Sequence, residues 1–265
     1  MSSPKKKGDK TVVDAERDAS HVLIESWQHL HAQFEETRDT GWIFRGVSSP
    51  EHRLIPSIGR EKVYGTYDAE REQRLFEEFK LRAVALVSDY RFNDWTWLAY
   101  AQHIGVPTRL LDWTVSPLVA LYFALESDSD TDRVIYAVKY SHYIFEVDHR
   151  NTSPFSNTEV GRFTAPLAFD RIRAQRGVFT IHPTPTKIFA PKGLKSFLIP
   201  SAMVHDFRRR LFKYGVDHWY VYPDAKGLGQ QLAWQFKNKV GLGLVTDTGA
   251  SGNKASPKKA KRSTA

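Results

Sequence analysis

A mixed α/β domain, with one central sheet flanked by helices, is the fold class that the sequence predicts. Two patterns point to it. Segments of helical period, such as Asp68–Asp89, alternate with short β-rich runs such as Arg133–Tyr140 (RVIYAVKY), and no internal repeat sorts helices and strands into separate blocks. The 7 Trp, 11 Tyr and 16 Phe add bulky core material to a hydrophobic content of 41%. At 265 residues the chain fits one large domain with appendages.

Taken in order, Ser20 is placed to cap a first helix bearing Leu23, Trp27, Leu30 and Phe34. Gly41-Trp-Ile-Phe-Arg-Gly46 reads as a short strand ending in a turn. Leu75, Phe76, Phe79, Ala83, Leu86 and Val87 form an apolar stripe along the Asp68–Asp89 helix, and Trp95–Gln102 adds a further turn or two. Tyr100–Ser116 reads as a polar, turn-rich loop that runs onto a helix start, with Ser116 as N-cap and Pro117 at the first helical position. After the Arg133–Tyr140 strand, the region from Tyr143 to Asp170 has weak periodicity and reads as a long loop. Strands are expected at Gly177–His182, Leu194–Ile199 and Trp219–Tyr222. Helices are expected after Ser201, terminated by Gly215, and over Leu228–Lys239.

The net charge of +8 is not spread over the chain. Residues 1–10 carry +3 and residues 249–265 carry +5, so residues 11–248 are neutral. Both ends are poor in apolar residues and are expected to be disordered basic tails around one domain at 11–248. Polybasic tails hold phosphate backbones through charge alone, which makes nucleic acid a candidate partner; a solubilising role is the other reading. No apolar run reaches membrane-spanning length and the start lacks a secretory pattern, so a cytoplasmic protein with no membrane partner is expected. The absence of cysteine excludes a disulfide framework, a zinc ribbon and a thiol nucleophile. No two histidines stand at metal-ligand spacing, so no metal is expected.

The chemistry-bearing residues concentrate in two places. Arg45 follows Trp42-Ile43-Phe44, and a guanidinium on such an apolar strand serves either as a phosphate clamp or as half of a buried ion pair with Asp112. Gly46 beside it lets a ligand or another backbone approach closely. Downstream, Thr108-Arg109-Leu-Leu-Asp112-Trp113-Thr114 and Ser116 collect hydroxyls, both signs of charge and an indole. Arg109 and Asp112 also read as a structural pair, Trp113 as core, and Ser116 as a helix cap alone. His103 is placed to act as general acid/base or as a hydrogen-bond donor to a ligand, or to serve structure.

These segments resemble the FRG domain family. The resemblance rests on Phe44-Arg45-Gly46, on QHxGxPTRLLDWTxSPxxALxFA at Gln102–Ala124, on Gln175-Arg-Gly177-Val-Phe179 and on Tyr222-Pro223-Asp224 with Gly227-Leu228. It spans roughly Gly41–Lys239, with an N-terminal helical extension before it. One departure is the last motif, usually Phe-Pro-Asp-Leu in similar proteins and here Tyr-Pro-Asp-Ala. The family resemblance implies a toxin or phage-defence role rather than a fixed activity.

A second, weaker similarity is to the core of ADP-ribosyltransferases. It implies NAD as cofactor, Arg45 on the diphosphate, Thr114 and Ser116 on a second strand serving the ribose, and Trp113 or Tyr100 stacking the base. His103 and Gln175 would orient ligand or acceptor. Gln175 falls where such transferases place a glutamate, and an amide neither accepts a proton as a base nor balances a forming cation. Either Asp112 or Asp224 supplies the carboxylate, or the pocket is a non-catalytic nucleotide-binding module. A nuclease is disfavoured for want of a metal-binding carboxylate cluster.

Overall fold

In the computed structural model, which describes residues 21–87, 92–145, 152–165 and 170–241, seven strands form one mixed sheet. They are β1 (Val22–Leu23), β2 (Trp42–Val47), β3 (Leu110–Thr114), β4 (Arg133–Lys139), β5 (Gly161–Phe163), β6 (Gly177–Ile181) and β7 (Lys195–Ile199). Their order is β1-β7-β4-β2-β3-β6-β5, with β1–β7 parallel and the other pairs antiparallel. The helices among the described residues are α1 (Trp27–Glu35), α2 (Glu61–Tyr64), α3 (Ala69–Ala83), α4 (Asp94–His103), α5 (Pro117–Leu125), α6 (Asp170–Ala174), α7 (Val204–Lys213), α8 (His218–Val221) and α9 (Ala225–Asn238). The mixed α/β class read from the sequence holds. Both basic tails lie outside the described residues.

Strand alternation divides the core into three parts. Phe44, Ile135, Ala137 and Phe197 pack beneath α1, α5 and α7. On the same face, Leu110, Phe163, Phe179 and Ile181 pack beneath α3 and α4. Trp113, Leu111, Ile43, Val47 and Tyr136 fill the other face with Phe189. The first two clusters part where β2 meets β3. These two central strands share one paired position, Phe44 opposite Thr114, whereas β2 pairs with β4 along six residues. The sheet is therefore open in its middle.

Several local expectations are corrected. The first helix starts at Ser26, whose hydroxyl accepts from His29 N, while Val22–Leu23 adds to the sheet edge and Leu23 is exposed. Tyr100–Ser116 is not all loop, since Leu110–Thr114 is strand β3 and pairs with β6 throughout. Its Asp112 breaks the apolar run that would have marked a strand, because that carboxylate points into an opening. The Tyr143–Asp170 region contains β5. Trp219–Tyr222 is not a strand: Asp217 accepts from Tyr220 N and starts the short helix α8. Ser201 leads a 3-10 turn and does not cap α7 with its side chain; its N–H donates to Asp132. The long helix ends as α3 at Ala83, followed by a 3-10 turn that leaves Leu86 exposed.

Candidate functional site

The opening between β2 and β3 continues into a cleft of about 400 Å³, within the range of nucleotide-sized sites. Its walls come from β2, the loop after it, the end of α4, β3, α5, α6, the start of β6 and the Tyr222 turn. Four arginines line it (Arg45, Arg53, Arg60 and Arg171), and Asp112 is the only carboxylate among the described lining residues.

Arg45 occupies the gap itself. Its NH1 donates to the backbone carbonyl of Asp112 at 2.6 Å and lies 3.6 Å from the Asp112 carboxylate. The side chain thus replaces a ladder bond that the diverging strands cannot make. Arg45 Nε is buried with no hydrogen-bond partner among the described residues. Burial pulls the guanidinium pKa below its usual value; Asp112 opposes this and the positive charge of Arg60 adds to it. The Arg45 side chain is 17% exposed and that of Asp112 52% exposed, so the pair is a half-open contact at the cleft rather than a sealed ion pair.

Asp112 is oriented by a chain of bonds. Leu110 N donates to Thr108 Oγ1, Thr108 Oγ1 donates to Gln102 Oε1 at 2.6 Å, and Gln102 Nε2 donates to Asp112 Oδ2 at 2.5 Å. With the amide oxygen taken by Thr108, the amide NH₂ must face the carboxylate. Thr108 therefore stands behind the cleft and sets Gln102, which lines it.

The remaining candidates divide. Gly46 lines the cleft edge, and what approaches it is backbone: a Cβ there would lie 1.8 Å from Ala120 O and 2.6 Å from Ala124 N of α5. Thr114 lines the cleft but commits its hydroxyl, donating to Gln175 O at 2.7 Å and accepting from Ser116 N. Gln175 lines it too, with Nε2 donating to Val221 O. His103 lines the cleft and stacks on Tyr100; burial, then Arg171, lower its pKa against the pull of Asp112.

Trp113 borders the cleft while its Nε1 donates to buried Thr180 Oγ1 and its ring packs edge-on to Phe189, which is a core role. Arg109 does not line the cleft. Its guanidinium is buried against Glu72 at 2.6 Å and over the Phe155 ring, so its partner is Glu72 rather than Asp112. Ser116 caps α5, accepting from Val119 N. Tyr100 packs against Phe79 and Trp97 outside the cleft. Asp224 caps α9 through Gly227 N and pairs with Arg171 at 2.5 Å, outside the lining.

Sequence reasoning missed Arg60, Arg53, His52, Arg171 and Tyr222 as cleft residues. Arg60 and Arg171 lie in surface-like charged segments, where nothing in the spacing marks them. Among the described residues no cluster of His, Cys, Asp and Glu could hold a metal, and no helix is long and apolar enough to cross a membrane.

No curated protein and no solved structure matches this chain. The FRG domain family model matches residues 40–133, narrower than the Gly41–Lys239 span read from the sequence. The match takes in Arg45, Arg60, Gln102 and Asp112 and leaves out Arg171, Gln175 and Tyr222. On this match, with the Phe-Arg-Gly strand and the Asp112 strand facing each other across the opening, the chain carries an FRG domain at residues 40–133.

Proposed function

We propose that the cleft binds an NAD-type nucleotide and transfers its ADP-ribosyl group, with Asp112 as the working carboxylate. The observation that carries this reading is one oriented carboxylate, beside Arg45, in a cleft at a break in the sheet that Arg53, Arg60 and Arg171 also line. In this reading Arg45 takes the diphosphate with its bidentate fork, and Phe123 and Tyr222, edge to face at 6.4 Å, give the aromatic wall for a ring. Gln175 and His103 orient ligand and acceptor, and Thr114 fixes the strand rather than gripping the ribose. The glycosidic C1′–N bond breaks, nicotinamide leaves neutral with the bonding pair, and the acceptor nucleophile bonds to C1′ while its proton passes to Asp112. The carboxylate also balances the positive charge that builds on the ribose.

NAD consumption of this kind fits a toxin or phage-defence role, and the basic tails would add affinity for nucleic acid. The second reading, nucleotide recognition without turnover, is favoured by the amide at Gln175.

Incubation with labelled NAD tests both. Release of nicotinamide or labelling of an acceptor is expected, suppressed at least 100-fold in Asp112→Asn with binding retained, and suppressed in Arg45→Lys, which loses the fork. Gln175→Glu should do little or harm. Binding without turnover in every form supports the second reading, and a rise in turnover with Gln175→Glu would remove Asp112 from its role. No NAD binding at all would sink both.

A further inference from the structure

The loop between β2 and α2 is built to hold a shape. Leu54 and Ile58 are buried, Phe189 N donates to Leu54 O at 2.9 Å, and Ile58 N donates to Thr108 O at 3.3 Å. Ser57 Oγ accepts from Thr108 N at 3.1 Å. A Cβ at Gly59 would lie 2.0 Å from Pro185 O, so the chain there is pressed against the connection between β6 and β7. These anchors, at Leu54, Ser57, Ile58 and Gly59, the last three in a 3-10 turn, fix the position of the next residue, Arg60. Arg60 lines the same cleft as Arg45. Its Nε donates to Ile55 O at 3.1 Å, which sets the plane of the guanidinium, and no carboxylate pairs with it among the described residues.

Two guanidinium groups held in one cleft repel, and one half-exposed carboxylate offsets one of them. The deeper group also carries an unsatisfied, buried Nε. Such an arrangement is favourable when an anion with two charged centres lies between the arginines. We propose that Arg60 and Arg45 form a two-cation clamp that selects ligands carrying two linked phosphoryl groups over those carrying one. The proposal rests on the nucleotide reading for its natural ligand, and Arg60 lies outside the Phe44-Arg45-Gly46 motif.

Isothermal titration calorimetry of the full chain with ADP, AMP, inorganic pyrophosphate and inorganic phosphate tests it. The native protein should bind ADP at least tenfold more tightly than AMP, and pyrophosphate more tightly than phosphate. Arg60→Ala should reduce ADP and pyrophosphate affinity about tenfold while leaving AMP within about twofold, and Arg60→Lys should restore part of the loss, since charge returns without the fork. Arg60 is exposed, so circular dichroism of the variants should match the native protein. Equal loss of ADP and AMP in Arg60→Ala, or no loss of either, overturns the clamp. Binding of pyrophosphate but of no nucleotide would keep the clamp and remove the nucleotide reading. Binding of none of the four probes removes both.

Discussion

His182 lies 2% exposed on the face of the sheet opposite α5, its Nε2 2.9 Å from Thr180 Oγ1, with the Phe189 ring edge-on at 5.0 Å. Thr180 Oγ1 also accepts from Trp113 Nε1, so Thr180 joins the indole and the imidazole in one buried polar group. Burial, aided by the Arg45 charge, pushes the imidazole pKa down to about 4 from its ordinary 6.5. The folded form thus resists the proton that the unfolded chain takes up below pH 6.5. The His182 contribution to stability is constant above that pH, falls by about 1.4 kcal/mol per unit as the pH drops further, and levels once the folded imidazole is itself protonated. Urea unfolding of the native protein between pH 7 and 4 should show stability falling with acid, and His182→Gln should reduce that slope, with His21 and His103, also shifted down, carrying the rest. An unchanged slope in that variant would assign the acid sensitivity elsewhere. The same residues show what sequence conveys at this scale. Trp113 sits beside Asp112 and Thr114 in a polar string, and period-2 alternation alone decides that its indole turns to the core while Asp112 turns to the cleft. Arg109 misled for a related reason: its partner Glu72 is 37 positions away on α3.

At the scale of elements, that ion pair fastens α3 to the strand that carries Asp112. Glu72 accepts from Arg109 Nε at 3.0 Å and NH2 at 2.6 Å, and from Tyr67 OH at 2.7 Å. Both charges are buried, so removing one leaves the other without compensation. Glu72→Ala is expected to cost about 3–5 kcal/mol and to lower the melting temperature, whereas Glu70→Ala, on the exposed pair with Arg74, should change stability by less than about 0.5 kcal/mol. Equal effects would mean that α3 is held by Phe76 and Phe79 alone. The strongly patterned elements were legible in the sequence: α3, α5 with its Ser116-Pro117 start, and strands β2, β4, β6 and β7. The short ones were not. β1 has two residues and β5 three, and α8 is a single turn started by Asp217; pieces of that length take their form from neighbours more than from their own period. The cleft was half legible. The Phe-Arg-Gly strand and the Gln102–Ser116 segment announced polar groups near each other, but the contribution of Arg60 depends on how the loop is anchored to Thr108, Pro185 and Phe189.

For the whole molecule, charge is distributed in two separate ways. Residues 11–248 are neutral overall, yet four arginines and one carboxylate line the cleft; the excess of +8 belongs to residues 1–10 and 249–265. A span with balanced charge has little long-range pull on a polyanion, while arginines in a cleft act at short range on a ligand that fits. The two functions should therefore come apart. Deleting residues 1–10 and 249–265 is expected to abolish salt-sensitive retention of DNA or RNA, because the number of counterions released follows the number of phosphates neutralised. The same deletion should leave the melting temperature within about a degree or two and leave ADP affinity in the cleft unchanged. Filter binding across a salt series, beside calorimetry with ADP, reads both quantities on one preparation. If the trimmed body keeps the native salt slope, the nucleic-acid surface lies on the fold and the tails are solubilising ends. If instead ADP affinity falls with the tails, charge from the ends reaches the cleft, and the separation of long-range and short-range recognition fails.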